Sequence, residues 1–212
     1  MFASVEIRWF RRGPLPAALR ETVLTWPIPP LVDARTDTYL IDQTSLLGVK
    51  VRADTSLEIK QRTSEDGIRR MGPLEGYVEG WAKWAFALDP APTIPPPPDI
   101  SRPAGAWVKI EKQRFLQKYE FLPAKSLRPV ESTEFPARGA SFELTELAVT
   151  GANWWTLAIE SFGNEATLMA AFDAVLNELS RQPWCPELNA SDSLSYPEWL
   201  RLALNDETPA GR

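Results

Sequence analysis

No histidine occurs in this chain. That absence removes Ser-His-Asp triads, Cys-His pairs, histidine zinc sites and imidazole acid–base chemistry together. Any catalysis has to run on carboxylates, lysine, arginine, tyrosine or hydroxyl groups. Any metal has to be a hard, oxygen-bound ion such as Mg²⁺ or Mn²⁺. Cysteine is almost as scarce. Cys185 is the one thiol in 212 residues and has no partner for an internal disulfide, so packing must supply the stability, as in a reducing compartment. Flanked by Trp184 and Pro186 and lacking a base to activate it, Cys185 reads as a packing residue. No apolar run approaches the roughly 18 residues that a membrane helix needs. Residues 1–12 carry three arginines but no apolar stretch or small-residue cleavage site, so a secretion signal is not expected and a cytoplasmic location is. A basic excess is missing too. Lys and Arg total 23 against 28 Asp and Glu, a net charge of −5, which disfavours general nucleic-acid binding but leaves local cationic patches open.

What remains is an ordinary globular composition, 44% hydrophobic and 24% charged, in a chain long enough to bury a real core. Proline is unevenly spread, with seven between residues 89 and 103. Such a segment favours extended polyproline geometry and cannot join a sheet. Because strand patterns resume directly after it, it reads as a surface crossing between two halves of one domain spanning residues 1–205, the alternatives being a domain linker or a proline-rich ligand for a protein partner. Residues 206–212 read as a flexible tail.

Alternation predicts strands over residues 4–10, 38–42, 48–53 and 56–62, then over 107–115 continuing to 121, over 141–149 and over 153–162. Residues 53–55 are a short hairpin connection without an Asn-Gly or Asp-Gly signal. Helices are predicted after Pro14, with Leu15, Leu19 and Val23 on one face, and after Asn164, with Leu168, Phe172, Val175, Leu176 and Leu179 continuous. A short final helix starts near Ser195, where Glu198 stands at capping-box spacing and Trp199 and Leu202 face the core. Over residues 75–88 the spacing of Tyr77, Trp81, Trp84 and Leu88 predicts an amphipathic helix with an aromatic face. Trp154 and Trp155 are adjacent on a strand, so one faces the core and the other meets a helix or a partner.

The polar sides of the strands are the informative feature. They carry long charged side chains: Glu6 and Arg8, Lys50 and Arg52, Glu58, Lys60 and Arg62, Lys109 and Glu111. The opposite sides carry Val5, Ile7 and Trp9, Val49 and Val51, Leu57 and Ile59, Val108 and Ile110. An open sheet would turn the charges to bulk water. A closed barrel would gather them around a cavity, with helices outside. In such a cavity Arg and Lys suit phosphate oxygens, and carboxylates suit Mg²⁺ or Mn²⁺.

Several short motifs run in a telling order: Ser4-Val5-Glu6-Ile7-Arg8, Tyr39-Leu40, Lys50-Val51-Arg52, Leu57-Glu58-Ile59-Lys60, Lys112-Gln113-Arg114, and Ala158-Ile159-Glu160 before a helix. This order resembles the CYTH-like, or triphosphate tunnel, proteins. The resemblance implies an α+β fold, an antiparallel β-barrel tunnel with helices packed on the outside, acting on polyphosphates with a divalent metal. Carried across by position, Arg8, Lys50, Arg52, Lys60 and Arg114 would contact phosphate, joined on the charged faces by Arg62 and Lys109. Glu6 and Glu160 would hold Mg²⁺ or Mn²⁺, with Glu111 or Glu143 completing the set. Alternation counted from Lys109 puts Arg114 on the apolar side unless a bulge intervenes. Ser4 and Ala158 stand where the family's paired acids begin, so the chain resembles a degenerate member. Binding of a small phosphorylated ligand is therefore expected ahead of hydrolysis. The alternatives are a metal-dependent triphosphatase with a rearranged acidic set, and a protein-interaction module whose internal charges pair among themselves.

Overall fold

In the computed structural model the described residues are 2–26, 28–41, 44–88 and 107–205. The proline-rich crossing at 89–103 and the tail at 206–212 lie outside them. The strands are β1 (Phe2–Arg12), β2 (Leu31–Leu40), β3 (Leu47–Arg52), β4 (Ser56–Met71), β5 (Leu74–Ala87), β6 (Trp107–Phe121), β7 (Leu127–Val130), β8 (Gly139–Val149) and β9 (Ala152–Phe162). The helices are α1 (Ala17–Leu24), α2 (Glu165–Ser180) and α3 (Tyr196–Asn205).

The strands pair in the order β2-β3-β4-β5-β1-β9-β8-β6, and β6 then pairs back onto β2, from Leu31 opposite Leu116 to Leu40 opposite Trp107. That last ladder closes an eight-stranded antiparallel barrel, leaving β7 as a short extension on the far part of β6. Closure removes the exposed edges that an open sheet would carry. Two hairpins are tight turns with two successive positive φ angles, Ala53 (47°) and Asp54 (56°) between β3 and β4, Thr150 (47°) and Gly151 (82°) between β8 and β9. Such turns match the right-handed twist of their strands, and the first forms without the residues that usually announce it.

Every strand turns one side outward and one inward. The outward residues Val5, Ile7, Trp9, Phe142, Leu144, Trp155, Leu157 and Ile159 form one buried core with Leu19 and Val23 of α1 and Leu168, Phe172, Val175, Leu176 and Leu179 of α2. Each such side chain contributes about 1.5–3 kcal/mol when fully buried. Asn164 sits at the α2 N-cap position, but its Oδ1 accepts from the Thr167 hydroxyl at 2.9 Å and makes no bond to a helix amide.

Residues 74–87 are a strand where the aromatic spacing suggests a helix. The run Glu79, Trp81, Lys83 alternates with Val78, Gly80, Ala82, and ladders to β4 on one side and β1 on the other outweigh the helical period. Gly76 and Gly80 would also weaken a helix. Gly76 has a packing reason: a Cβ there would lie 2.8 Å from the Trp9 indole nitrogen, which donates to the Glu75 carbonyl at 2.7 Å. β2 begins seven residues earlier than residue 38, at Leu31, and β4 runs on past residue 62 to Met71.

A second core fills one end of the barrel from within. Phe10, Tyr39, Ile110, Leu147 and Val149 point inward and receive Trp199 and Leu200 of α3. Trp199 stacks on Phe10 with centroids 4.6 Å apart and takes the edge of Trp154 at 5.9 Å. Trp155 belongs to the outer core and Trp154 to this inner one. Ser195 caps α3, its N–H and hydroxyl both donating to Glu198 Oε2 at 2.9 Å. α3 is thus a plug. Trp199→Ala is expected to cost about 3–5 kcal/mol, measured by urea unfolding; a loss below about 1 kcal/mol would show that the end is closed by something else.

Candidate functional site

The inward residues between plug and open end are mostly charged. A cavity of about 120 Å³ is lined by Arg8, Arg35, Lys50, Arg52, Lys60, Lys83, Lys112 and Arg114, against Glu6, Glu58, Glu143 and Glu160. Tyr39, Gly48, Trp81, Tyr196 and Pro197 complete the wall. Register explains why these side chains meet. Glu6 stands directly opposite Glu160, Lys50 opposite Glu58, Lys60 opposite Lys83, and Arg35 opposite Lys112. Directly opposed residues share a face.

Each carboxylate serves several cations. Glu6 accepts from Arg8 Nε at 2.7 Å and from Lys60 Nζ at 2.6 Å, and Lys60 also reaches Glu160 at 2.8 Å. Arg8 continues to Glu143 at 2.9 Å. Glu58 contacts Lys83 at 3.1 Å, Lys50 at 3.2 Å and Arg52 at 3.4 Å. Fully buried Asp37 contacts Arg35 at 3.0 Å, Lys50 at 3.2 Å and Lys112 at 3.3 Å. Asp33 pairs with Arg35 and, at 3.0 Å, with Arg114. Lys112 is held between two phenols, 2.6 Å from Tyr39 Oη and 3.0 Å from Tyr196 Oη, with its ammonium over both rings.

Burial and charge act against each other here. Burial would raise the Glu6 carboxyl, but Lys60 and Arg8 outweigh it and hold it at about 2. The same contest, with Lys50 and Lys83, brings Glu58 to about 2. Burial would also raise Glu143, and Arg8 and Arg114 pull it well down. Lys50 and Lys60 are pushed up, because their neighbours outweigh the burial that would lower them. For Lys112 and Lys83 burial prevails and the amine is lowered. Burial raises the Tyr196 phenol to about 12.

The positions expected from sequence divide accordingly. Glu6, Arg8, Lys50, Arg52, Lys60, Arg114 and Glu160 converge on the cavity. Arg62 points inward beside them but is held off the cavity wall by Glu79 at 2.6 Å, Glu198 at 3.5 Å and Ser45 at 3.0 Å. Lys109 and Glu111 do not belong to the site. They lie on the outer surface near Thr36 and Thr38, because β6 alternates without a bulge and turns its even-numbered residues inward. The same register carries Lys112 and Arg114 into the lumen, so the apolar placement expected for Arg114 is corrected. Arg35 and Asp37 lie in the part of β2 that precedes the alternation at residue 38, and Lys83 lies in the stretch whose aromatic spacing suggests a helix. The alternation Asp33, Arg35, Asp37 was the signal that could have found the first two.

The residues do not form the metal centre that the resemblance implies. Among the described residues no three acidic side chains gather as a metal-binding group. Glu111 faces outward, both oxygens of Glu6 are already engaged, and the Lys60 ammonium bridges Glu6 and Glu160.

No protein-family model matches the chain, and no curated protein matches it. Among solved structures it is similar to a conserved hypothetical protein from Pyrococcus furiosus, at 14% identity and a TM-score of 0.46 over 84% of this chain and 88% of that one. It is also similar to a protein from Pyrococcus horikoshii OT3, at 13% identity and a TM-score of 0.44 over 96% of this chain and 99% of that one. The ladder that closes β6 onto β2 and the charges that it encloses define the class of protein as a closed antiparallel β-barrel with a charged lumen.

The depressed carboxyls define an acid limit. Glu6 and Glu58, with ordinary values of 4.5, sit at about 2 in the fold. Their support is therefore complete above about pH 4.5 and is lost as pH falls towards 2. Lys112 has the opposite sign: burial favours its neutral form, so raising the pH towards its ordinary 10.5 relieves a cost. Thermal melts should be flat from neutral pH down to about 4.5 and then fall steeply. Glu58→Gln should be less stable than the wild type at neutral pH and show a shallower acid fall; a wild-type melting temperature equal at pH 3 and pH 7 would contradict this.

Proposed function

We propose that the lumen binds a compact, multiply charged anion of the phosphate or polyphosphate type, and that binding rather than hydrolysis is its task. One observation carries the reading: eight cationic side chains line the cavity against four carboxylates. Asp33 and Asp37 stand in the wall behind them, and Arg62 lies beside it with Glu79 and Glu198, so that over the whole inner face the cations exceed the carboxylates by one. A lumen built only for structure would balance its charges, because each uncompensated buried charge is costly. Low-dielectric walls of one predominant sign focus the field and attract an ion of the other sign.

The wall also has donors to spare. Lys83 and Arg52 share Glu58 with Lys50, and the buried Arg114 Nε has no hydrogen-bond partner among the described residues. Arg52, with about a third of its side chain exposed, meets an entering ligand first, and its planar fork suits phosphate oxygens. A cavity of about 120 Å³ suits a few phosphates; a nucleoside attached to them would stay outside.

Thermal shift with tripolyphosphate, pyrophosphate and inorganic phosphate, each in EDTA and in Mn²⁺, tests the proposal. A ligand selective for the native state raises the melting temperature, by the equivalent of about 2.7 kcal/mol at a hundredfold excess over Kd. Tripolyphosphate should give the largest shift. Arg52→Ala and Lys83→Ala should each weaken it by roughly tenfold in apparent affinity. No shift with any of the three, or an unchanged shift in both variants, would remove the anion site.

A further inference from the structure

We infer that Lys60 occupies the place of a divalent cation, so that the lumen takes its anion free of metal. The inference rests on the anion-binding reading but stands on its own geometry. The Lys60 ammonium lies 2.6 Å from Glu6 Oε2 and 2.8 Å from Glu160 Oε1. It therefore sits between two carboxylates that face each other in register across β1 and β9. An ion bridging this pair would need the space the ammonium fills. The second oxygen of Glu6 is no freer, being bonded by Arg8 Nε at 2.7 Å. Arg8 is in turn committed to Glu143, which also receives Arg114 at 3.4 Å. Both oxygens of Glu6 and of Glu143, and one oxygen of Glu160, are thus engaged by fixed side-chain cations.

The consequence is chemical. A divalent ion offers two charges and open coordination positions through which phosphate oxygens are bridged. A tethered ammonium offers one charge and three donors, two of them spent here on Glu6 and Glu160. It neutralises the carboxylates that would otherwise repel a phosphate and provides no position for polarising a phosphoryl group. Lys83, directly opposite Lys60 on the neighbouring strand, adds a second fixed cation. A divalent ion would have to enter against both. The preferred ligand is then the free phosphate anion and not its metal chelate.

Titration with Mn²⁺ alone, following the free-ion signal by electron paramagnetic resonance, reads the inference without any phosphate ligand. Wild type should leave Mn²⁺ free at millimolar ion, whereas Lys60→Gln, which uncovers Glu6 and Glu160, should bind it at least tenfold more tightly. Glu6→Gln added to Lys60→Gln should return it to the wild-type level. Tight Mn²⁺ binding by the wild type, or equal affinities in wild type and Lys60→Gln, would overturn the inference. Should Lys60→Gln fail to fold, the wild-type titration alone decides, and Lys60→Arg, which keeps the cation, should behave as wild type does. In the companion arm, a tripolyphosphate shift that needs Mn²⁺ would overturn the metal-free reading. Absence of any shift with or without Mn²⁺ would instead defeat the anion site itself, and the Mn²⁺ titration would still judge the Lys60 bridge.

Discussion

The ladder between β2 and β6 is the constraint on which everything else depends. Without it the remaining pairings describe a curled sheet, and Arg35, Asp37, Lys112 and Arg114 would lie along two separated edges. With it those four side chains face one another and complete a wall whose other half comes from β1, β3, β4, β5, β8 and β9. The closed lumen lowers the local dielectric, and a lower dielectric makes every opposed charge both stronger and more demanding of a partner.

The molecule meets that demand by sharing. Glu58 and Asp37 each hold three cations, and Glu6 holds two. Breaking one buried pair typically costs about 3–5 kcal/mol because the other charge is left uncompensated, so these groups form a mutually dependent set. The apolar outer core under α1 and α2, together with the plug formed by α3, carries the burden of stability. That division allows the inner face to hold a cationic surplus. Tyr196 links the two roles: it lies on α3, touches the Phe10 and Trp199 rings, and hydrogen-bonds Lys112 in the cavity wall.

Much of this was legible in the chain because a barrel writes itself as period-2 alternation. Val5, Ile7 and Trp9 against Glu6 and Arg8 betray two buried faces of opposite character, and β3, β8 and β9 read in the same manner. The absence of histidine and the lone Cys185 narrowed the chemistry without any structure. Three features were not legible. β5 places aromatics at residues 77, 81 and 84, a spacing that both a helix and a strand allow, and only the ladders to β1 and β4 decide between them. β6 is charged on both faces in its first half, with Lys109 and Glu111 outside and Lys112 and Arg114 inside, so alternation alone assigns no inner face. The bridge from Lys60 to Glu160 joins residues a hundred positions apart, and only the closed ladder brings them together.

Anion uptake by an enclosed lumen with a surplus of fixed positive charge is tested most directly by locating an anion in it. Crystals soaked in tungstate, a dense phosphate-sized dianion, would be examined by anomalous diffraction. The account predicts a strong peak inside the barrel within hydrogen-bonding reach of Lys83, Arg52 and Arg114. Peaks confined to the outer surface, with the lumen empty at saturating tungstate, would contradict it.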